Sequence, residues 1–270
     1  MDDRPIGVFD SGIGGLTVLK ELACVLPNES FVYFGDTARL PYGARSKETI
    51  IKYAHQCINF LLSKDVKAIV VACNTASAAA LPVMKESFKE PIIGVIEPGA
   101  AAAVEANKNN KIGILGTCAT IKSGAYEDEI KKLCPGKRIV SNPCPLFVPI
   151  VEEGWAETEV AKIVAKEYLK PLIEEKVDTI VMGCTHYPLL KSVVADIMGS
   201  DVCLIDPAHN TAIEFKKVLY KKQIQNENKN ISPYYKYYVS DDPERFVKVG
   251  SEFLEKDIDN IEKIDIEGYN

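Results

Sequence analysis

The apolar run Ile69-Val70-Val71-Ala72 has no polar alternation, ends in Cys73, and opens into the small-residue stretch Asn74-Thr75-Ala76-Ser77. The arrangement returns about 110 residues later, where Ile180-Val181-Met182-Gly183 leads into Cys184-Thr185-His186-Tyr187-Pro188. Unalternated apolar runs suit parallel strands covered on both faces, and the polar and small residues behind each suit a helix start. Each cysteine is therefore placed at the carboxyl end of a strand. Ligands of open α/β sheets bind at that end, and a helix N-terminus favours a thiolate there. A single such cysteine would read as inert packing. Two in the same context demand a common explanation.

Other segments repeat in the same order. Lys111-Ile112-Gly113-Ile114-Leu115-Gly116-Thr117 echoes Pro5-Ile6-Gly7-Val8-Phe9-Asp10-Ser11, and a strand over Arg138 to Ser141 echoes one at Phe31 to Gly35. Cys203-Leu204-Ile205-Asp206-Pro207 echoes Gly94-Val95-Ile96-Glu97-Pro98. Matches in one order at one offset imply an internal duplication on the scale of a domain. The expected fold is α/β: two similar domains related by a pseudo-twofold axis, with largely parallel central sheets and a site in the cleft between them. Residues 1–97 with 207–270 form the first domain, discontinuous, and 98–206 the second. The tail predicts a helix to about Lys222, a solvated polar loop from Gln223 to Ser232, a strand from Tyr234 to Val239 and a helix from Pro243 to Glu255. It has no echo and is expected to return to the first domain.

The 270 residues, 47% hydrophobic and 26% charged, support a real core. A net charge of −6 gives no general reason to bind nucleic acid or an anionic membrane. No apolar signal core opens the chain and no stretch is long enough to span a bilayer, so a cytoplasmic protein is expected. The eight cysteines include no C-x-x-C pair, which leaves zinc and thioredoxin-like readings unsupported. The turn Asp10-Ser11-Gly12-Ile13-Gly14-Gly15 suits an anion approached by backbone, but lacks the dinucleotide and P-loop spacings. Its anion is expected to be a carboxylate. His55 and Cys57 lie on a long helix and read as packing.

Two thiols facing each other across a cleft suit inversion of a carbon centre. One thiolate removes a proton while the opposite thiol delivers one to the other face. A thiol pKa of about 8.5 is tunable toward neutrality, so both forms are accessible. Each thiol needs a titratable helper. The strand ends offer Asp10 and Asp36 in the first half, and His186 and Glu152 in the second, with Glu153 an adjacent rival to Glu152.

The segments FDSGIGGLTV (Phe9 to Val18), YFGDTARLPYG (Tyr33 to Gly43), ACNTASA (Ala72 to Ala78) and GCTHYPLL (Gly183 to Leu190) together carry a specific resemblance. From about Ile6 to Asp206 the chain resembles the glutamate racemases of the aspartate/glutamate racemase family. The resemblance implies two α/β domains with the site between them. It implies a cofactor-independent racemase, with no metal, that interconverts L- and D-glutamate and supplies D-glutamate for peptidoglycan. By motif match Cys73 is the base toward D-glutamate and Cys184 the base toward L-glutamate. Asp10 would assist Cys73, Glu152 and His186 would assist Cys184, and Asp36 matches a further family acid. Ser11, the loop Pro41-Tyr42-Gly43, Asn74, Thr75, Thr117, Thr120 and Thr185 would hold the substrate, which Asp10, His186 and both cysteines would also touch. Members of this family often dimerise, so a homodimer is expected.

The rivals are related racemases acting on aspartate or a hydantoin, or a maleate isomerase. A cysteine hydrolase pairing Cys184 with His186 leaves Cys73 unexplained, and side chains two apart need not touch. A non-catalytic amino-acid binding protein on the same scaffold is the remaining class.

Overall fold

The computed structural model describes residues 2–228 and 232–269. The chain runs β1 (Ile6–Asp10), α1 (Leu16–Val25), β2 (Phe31–Gly35), α2 (Lys47–Ser63), β3 (Ala68–Val71), α3 (Asn74–Ser87), β4 (Ile92–Gly94) and α4 (Ile96–Ala106). It continues through β5 (Lys111–Gly116), α5 (Cys118–Ser123), α6 (Ala125–Leu133), β6 (Arg138–Pro143), α7 (Phe147–Glu152), α8 (Glu159–Glu174), β7 (Thr179–Gly183), α9 (Lys191–Met198) and β8 (Cys203–Ile205). The tail adds α10 (Pro207–Lys222), β9 (Tyr235–Val239), α11 (Pro243–Leu254) and β10 (Ile261–Lys263).

Two sheets result, a six-stranded one in the order β10-β9-β2-β1-β3-β4 and a four-stranded one in the order β6-β5-β7-β8. All the recorded pairings are parallel. The duplicated segments occupy equivalent positions: β2-β1-β3-β4 in one sheet has the order of β6-β5-β7-β8 in the other. β1, β2, β3 and β7 are buried throughout, which is why their sequences do not alternate. Helices cover both faces, and the tail strand β9 pairs with β2 from Phe31↔Tyr235 to Gly35↔Val239.

Several details differ from the sequence reading. In the segment Gly94-Val95-Ile96-Glu97-Pro98 the strand ends at Gly94, and Ile96 and Glu97 already belong to α4, which spans residues on both sides of 97. β10 and a short 3-10 helix at Ile266–Gly268 were not anticipated. The polar loop after Gln223 includes Lys229 to Ile231, which lie outside the described residues. No helix among the described residues is long and apolar enough to cross a membrane.

The helix starts are locally encoded. Ser46 caps α2 by accepting from Thr49 N–H, Thr117 caps α5 by accepting from Thr120 N–H, and Asp206 caps α10 by accepting from Ala208 N–H. α3 is capped by Cys73 itself, whose sulfur accepts from Ala76 N–H at 3.5 Å. The cap puts the thiol at the positive end of a 14-residue helix.

Candidate active site

Asp10 ends β1 and Cys73 follows β3, its neighbour in the first sheet, while Cys184 follows β7 in the second. Both cysteines are buried, at 5% and 7% exposure, and a negative charge on Cys184 is close enough to raise the Cys73 pKa. The approach of the halves is recorded at Gly14. A Cβ added there would lie 2.3 Å from Thr185 Oγ1 and 2.5 Å from His186 Nδ1, so only glycine fits. Thr17 Oγ1 also donates to Thr185 O at 3.2 Å, tying the turn after β1 to the turn after β7.

Around Cys73 the Sγ donates to Ser11 Oγ at 3.4 Å. Burial pushes this thiol up to about 12, reinforced by the charge of Asp10 and opposed by the bonds from Ser11 and Ala76. Asp10 is fully buried. Its Oδ2 accepts from Gly12 N–H at 2.9 Å, while Oδ1 meets no hydrogen-bond partner among the described residues. Burial raises its pKa, against the pull of His186 and the N–H groups of Gly12 and Gly15. The turn is held from beneath by Tyr33, whose hydroxyl donates to Gly12 O at 2.8 Å.

Cys184 Sγ lies 3.9 Å from His186 Nδ1, and His186 Nε2 lies 3.0 Å from Glu152 Oε1. The side chains of Cys184 and His186, two apart in sequence, thus meet. The chain turns sharply here, with Tyr187 N–H returning to Cys184 O, and that turn folds the imidazole back onto the sulfur. Burial opposes charging His186, but bonding to Cys184 and Glu152 outweighs it and pushes the imidazole up to about 10. Burial opposes ionisation of Glu152, yet His186 and Arg245 hold its carboxyl below the usual range. Glu153, the rival, is exposed and its carboxylate meets Arg245 Nη2 at 3.4 Å. Arg245, on α11, and Phe253, packed edge-on against His186 at 5.4 Å, escaped the sequence reading.

The hydroxyls of Thr75, Thr117 and Thr120 form a triangle with separations of 2.9, 3.2 and 2.9 Å, drawn from both halves. Asn74 Oδ1 accepts from Tyr126 Oη at 2.7 Å. Gly43 approaches Thr117 so closely that a Cβ would lie 2.7 Å from its Cβ. The Tyr42 side chain of this loop has a partner of its own. Tyr42 is 1% exposed and its hydroxyl donates to Asp36 Oδ2, so the phenol is committed away from the thiols and only backbone of Pro41-Tyr42-Gly43 is left to serve a ligand.

Asp36 is likewise not brought to either cysteine of the pair. Its Oδ2 also accepts from Arg39 Nε at 2.7 Å and its Oδ1 from Ser240 Oγ at 2.9 Å. Cys57 Sγ approaches Asp36 Oδ2 at 4.0 Å, so its packing role includes this buried network. Among the described residues no three His, Cys, Asp or Glu side chains gather as a metal-holding group.

Comparison with known proteins finds relatives over nearly the whole chain. The family model described as Asp/Glu/Hydantoin racemase matches residues 14–213. A glutamate racemase of Geobacter metallireducens is 45% identical over 98% of this chain and 97% of its own length. A glutamate racemase of Francisella tularensis, solved in complex with D-glutamate, is 42% identical with TM-score 0.93 and 100% of both chains covered. A glutamate racemase isoform of Bacillus anthracis is 39% identical with TM-score 0.94 over 98% of each chain. The two-sheet α/β architecture is thus shared, and the chain belongs to the Asp/Glu/Hydantoin racemase family.

Proposed function

We propose that the protein is a cofactor-independent glutamate racemase that interconverts L- and D-glutamate by proton transfer at Cα, with Cys73 and Cys184 as the two acid/base groups. The observation that carries the reading is two buried thiols, one from each sheet, within electrostatic reach and each beside its own titratable neighbour. One thiolate takes the α-proton. The electron pair left on Cα is delocalised into the substrate carboxylate, and the opposite thiol returns a proton to the other face. Donors from Asn74, Thr75, Thr185 and backbone N–H groups stabilise that charge in a site closed to water.

The neighbours divide the work. His186, charged at neutral pH, gives a thiolate on Cys184 a counter-charge, while Cys73 rests as the protonated thiol. In the direction from L-glutamate, Cys184 acts as base and Cys73 as acid. For D-glutamate Cys73 must first lose its proton, and Asp10, with a raised pKa and an unpartnered Oδ1, is suited to take it. Ser11, Thr117, Thr120 and the backbone of Tyr42 and Gly43 complete the substrate shell. Asp36 acts at one remove by fixing the loop that presents that backbone.

The domains of this reading are residues 1–97 with 207–270, and 98–206. Its setting is a cytoplasmic homodimer feeding peptidoglycan synthesis. The test is turnover by dialysed protein on L-glutamate, L-aspartate and a hydantoin, without added pyridoxal phosphate and with an absorbance spectrum. Racemisation of glutamate with no visible cofactor band is expected; activity confined to aspartate or the hydantoin, or dependent on pyridoxal phosphate, contradicts it.

A further inference from the structure

Asn74 and Tyr126 come from opposite halves, at the first turn of α3 and the first turn of α6. Tyr126 is 2% exposed and packs among Ile96, Ala100, Ile114, Val181 and Ile205. Burial raises its pKa well above the ordinary phenol value, so it is a hydroxyl that must donate. Asn74 Oδ1, 2.7 Å away, is the acceptor. A buried asparagine amide has two orientations of similar shape, one with donors outward and one with the acceptor outward. Turning the amide over would set its N–H groups against a phenol that needs an acceptor. Among the described residues no acceptor meets Asn74 Nδ2.

We propose that Tyr126 is a positioning residue for the racemase reaction: its hydroxyl, delivered by the second half, fixes the Asn74 amide with both N–H donors toward the substrate carboxylate. A flipped amide would present an oxygen to that carboxylate and repel the charge that develops there. The inference rests on the proposed racemase function, and it adds a residue that no motif near either cysteine contains. Tyr126 touches no substrate; it acts only through Asn74.

The test is a double-mutant cycle of Tyr126→Phe and Asn74→Ala, read as kcat/KM for both enantiomers and, where turnover is too slow, as Kd for D-glutamate. Thermal melts show that each variant is folded. Tyr126→Phe alone is expected to lower kcat/KM about 10-fold, the scale of one hydrogen bond. In the Asn74→Ala background the same change should alter the readout less than about twofold, since the group it acts through is gone. An equal loss in both backgrounds identifies a purely structural tyrosine and overturns the proposal, as does no loss in Tyr126→Phe alone or in Asn74→Ala alone. Unsubstituted protein that fails to racemise glutamate refutes the functional reading instead, so the two failures are told apart.

Discussion

Replacing His186 by asparagine removes the imidazole between Cys184 and Glu152 without adding volume. The structure assigns it one contact to the sulfur at 3.9 Å and one to the carboxylate at 3.0 Å, both buried. A hydrogen bond to a charged partner contributes about 1.5–3 kcal/mol, which predicts a fall in kcat/KM of about 10- to 150-fold. L- and D-glutamate have equal free energy, so kcat/KM must fall by the same factor in both directions, an internal check on the assay. Circular dichroism of each enantiomer decaying to zero supplies both values. The pKa of His186 rises from 6.5 to about 10 on folding, so the stability contributed by its charge is fully present below about pH 6.5 and lost as pH rises through 10. Urea unfolding of His186→Asn should lack that alkaline loss. A change in kcat/KM under threefold in a folded variant, with the alkaline limb intact, refutes the coupling of His186 to Cys184.

Cys73→Ala and Cys184→Ala should each abolish racemisation, since each leaves one face of the substrate without its acid or base; substantial turnover by either folded variant in the circular dichroism assay contradicts the two-thiol account. Asp36→Asn should act on stability before chemistry. It removes the buried charge partner of the Arg39 guanidinium and leaves it the exposed Glu267 at 3.3 Å, and the expected loss is about 3 kcal/mol in urea unfolding, with KM rising more than kcat falls. A fall in kcat at unchanged stability would return Asp36 to a direct role.

The strand ends were legible because parallel strands buried on both faces leave unbroken apolar runs, and each run stops where its cysteine starts a turn. The duplication was legible for the same reason, as the runs recur in order. Glu152 and His186 were legible as candidates, but their contact was not. It joins residues 34 apart in sequence through the register of α7 against the turn after β7. Tyr126, Arg245 and Ser240 carry no local signal, since a tyrosine in an amphipathic helix reads as packing until the other half delivers Asn74 to its hydroxyl. Tyr42 shows how a residue can be placed without its side-chain partner being legible. The resemblance names it as a substrate contact, and the loop turns its phenol inward to Asp36, a partner six residues back that no local pattern announces. β10, only three residues long, is too short for its alternation to register.

The most direct test of two opposed thiols is the unsubstituted protein with L-glutamate in D2O, followed by circular dichroism and by mass spectrometry of the α-position. The account predicts decay of the dichroism to zero, with deuterium in the newly formed D-glutamate from its first appearance and little in the residual L-glutamate at early times. Deuterium entering L-glutamate as fast as D-glutamate forms would mean one base returning protons to either face. A constant signal with no α-deuterium in folded protein would contradict racemisation altogether.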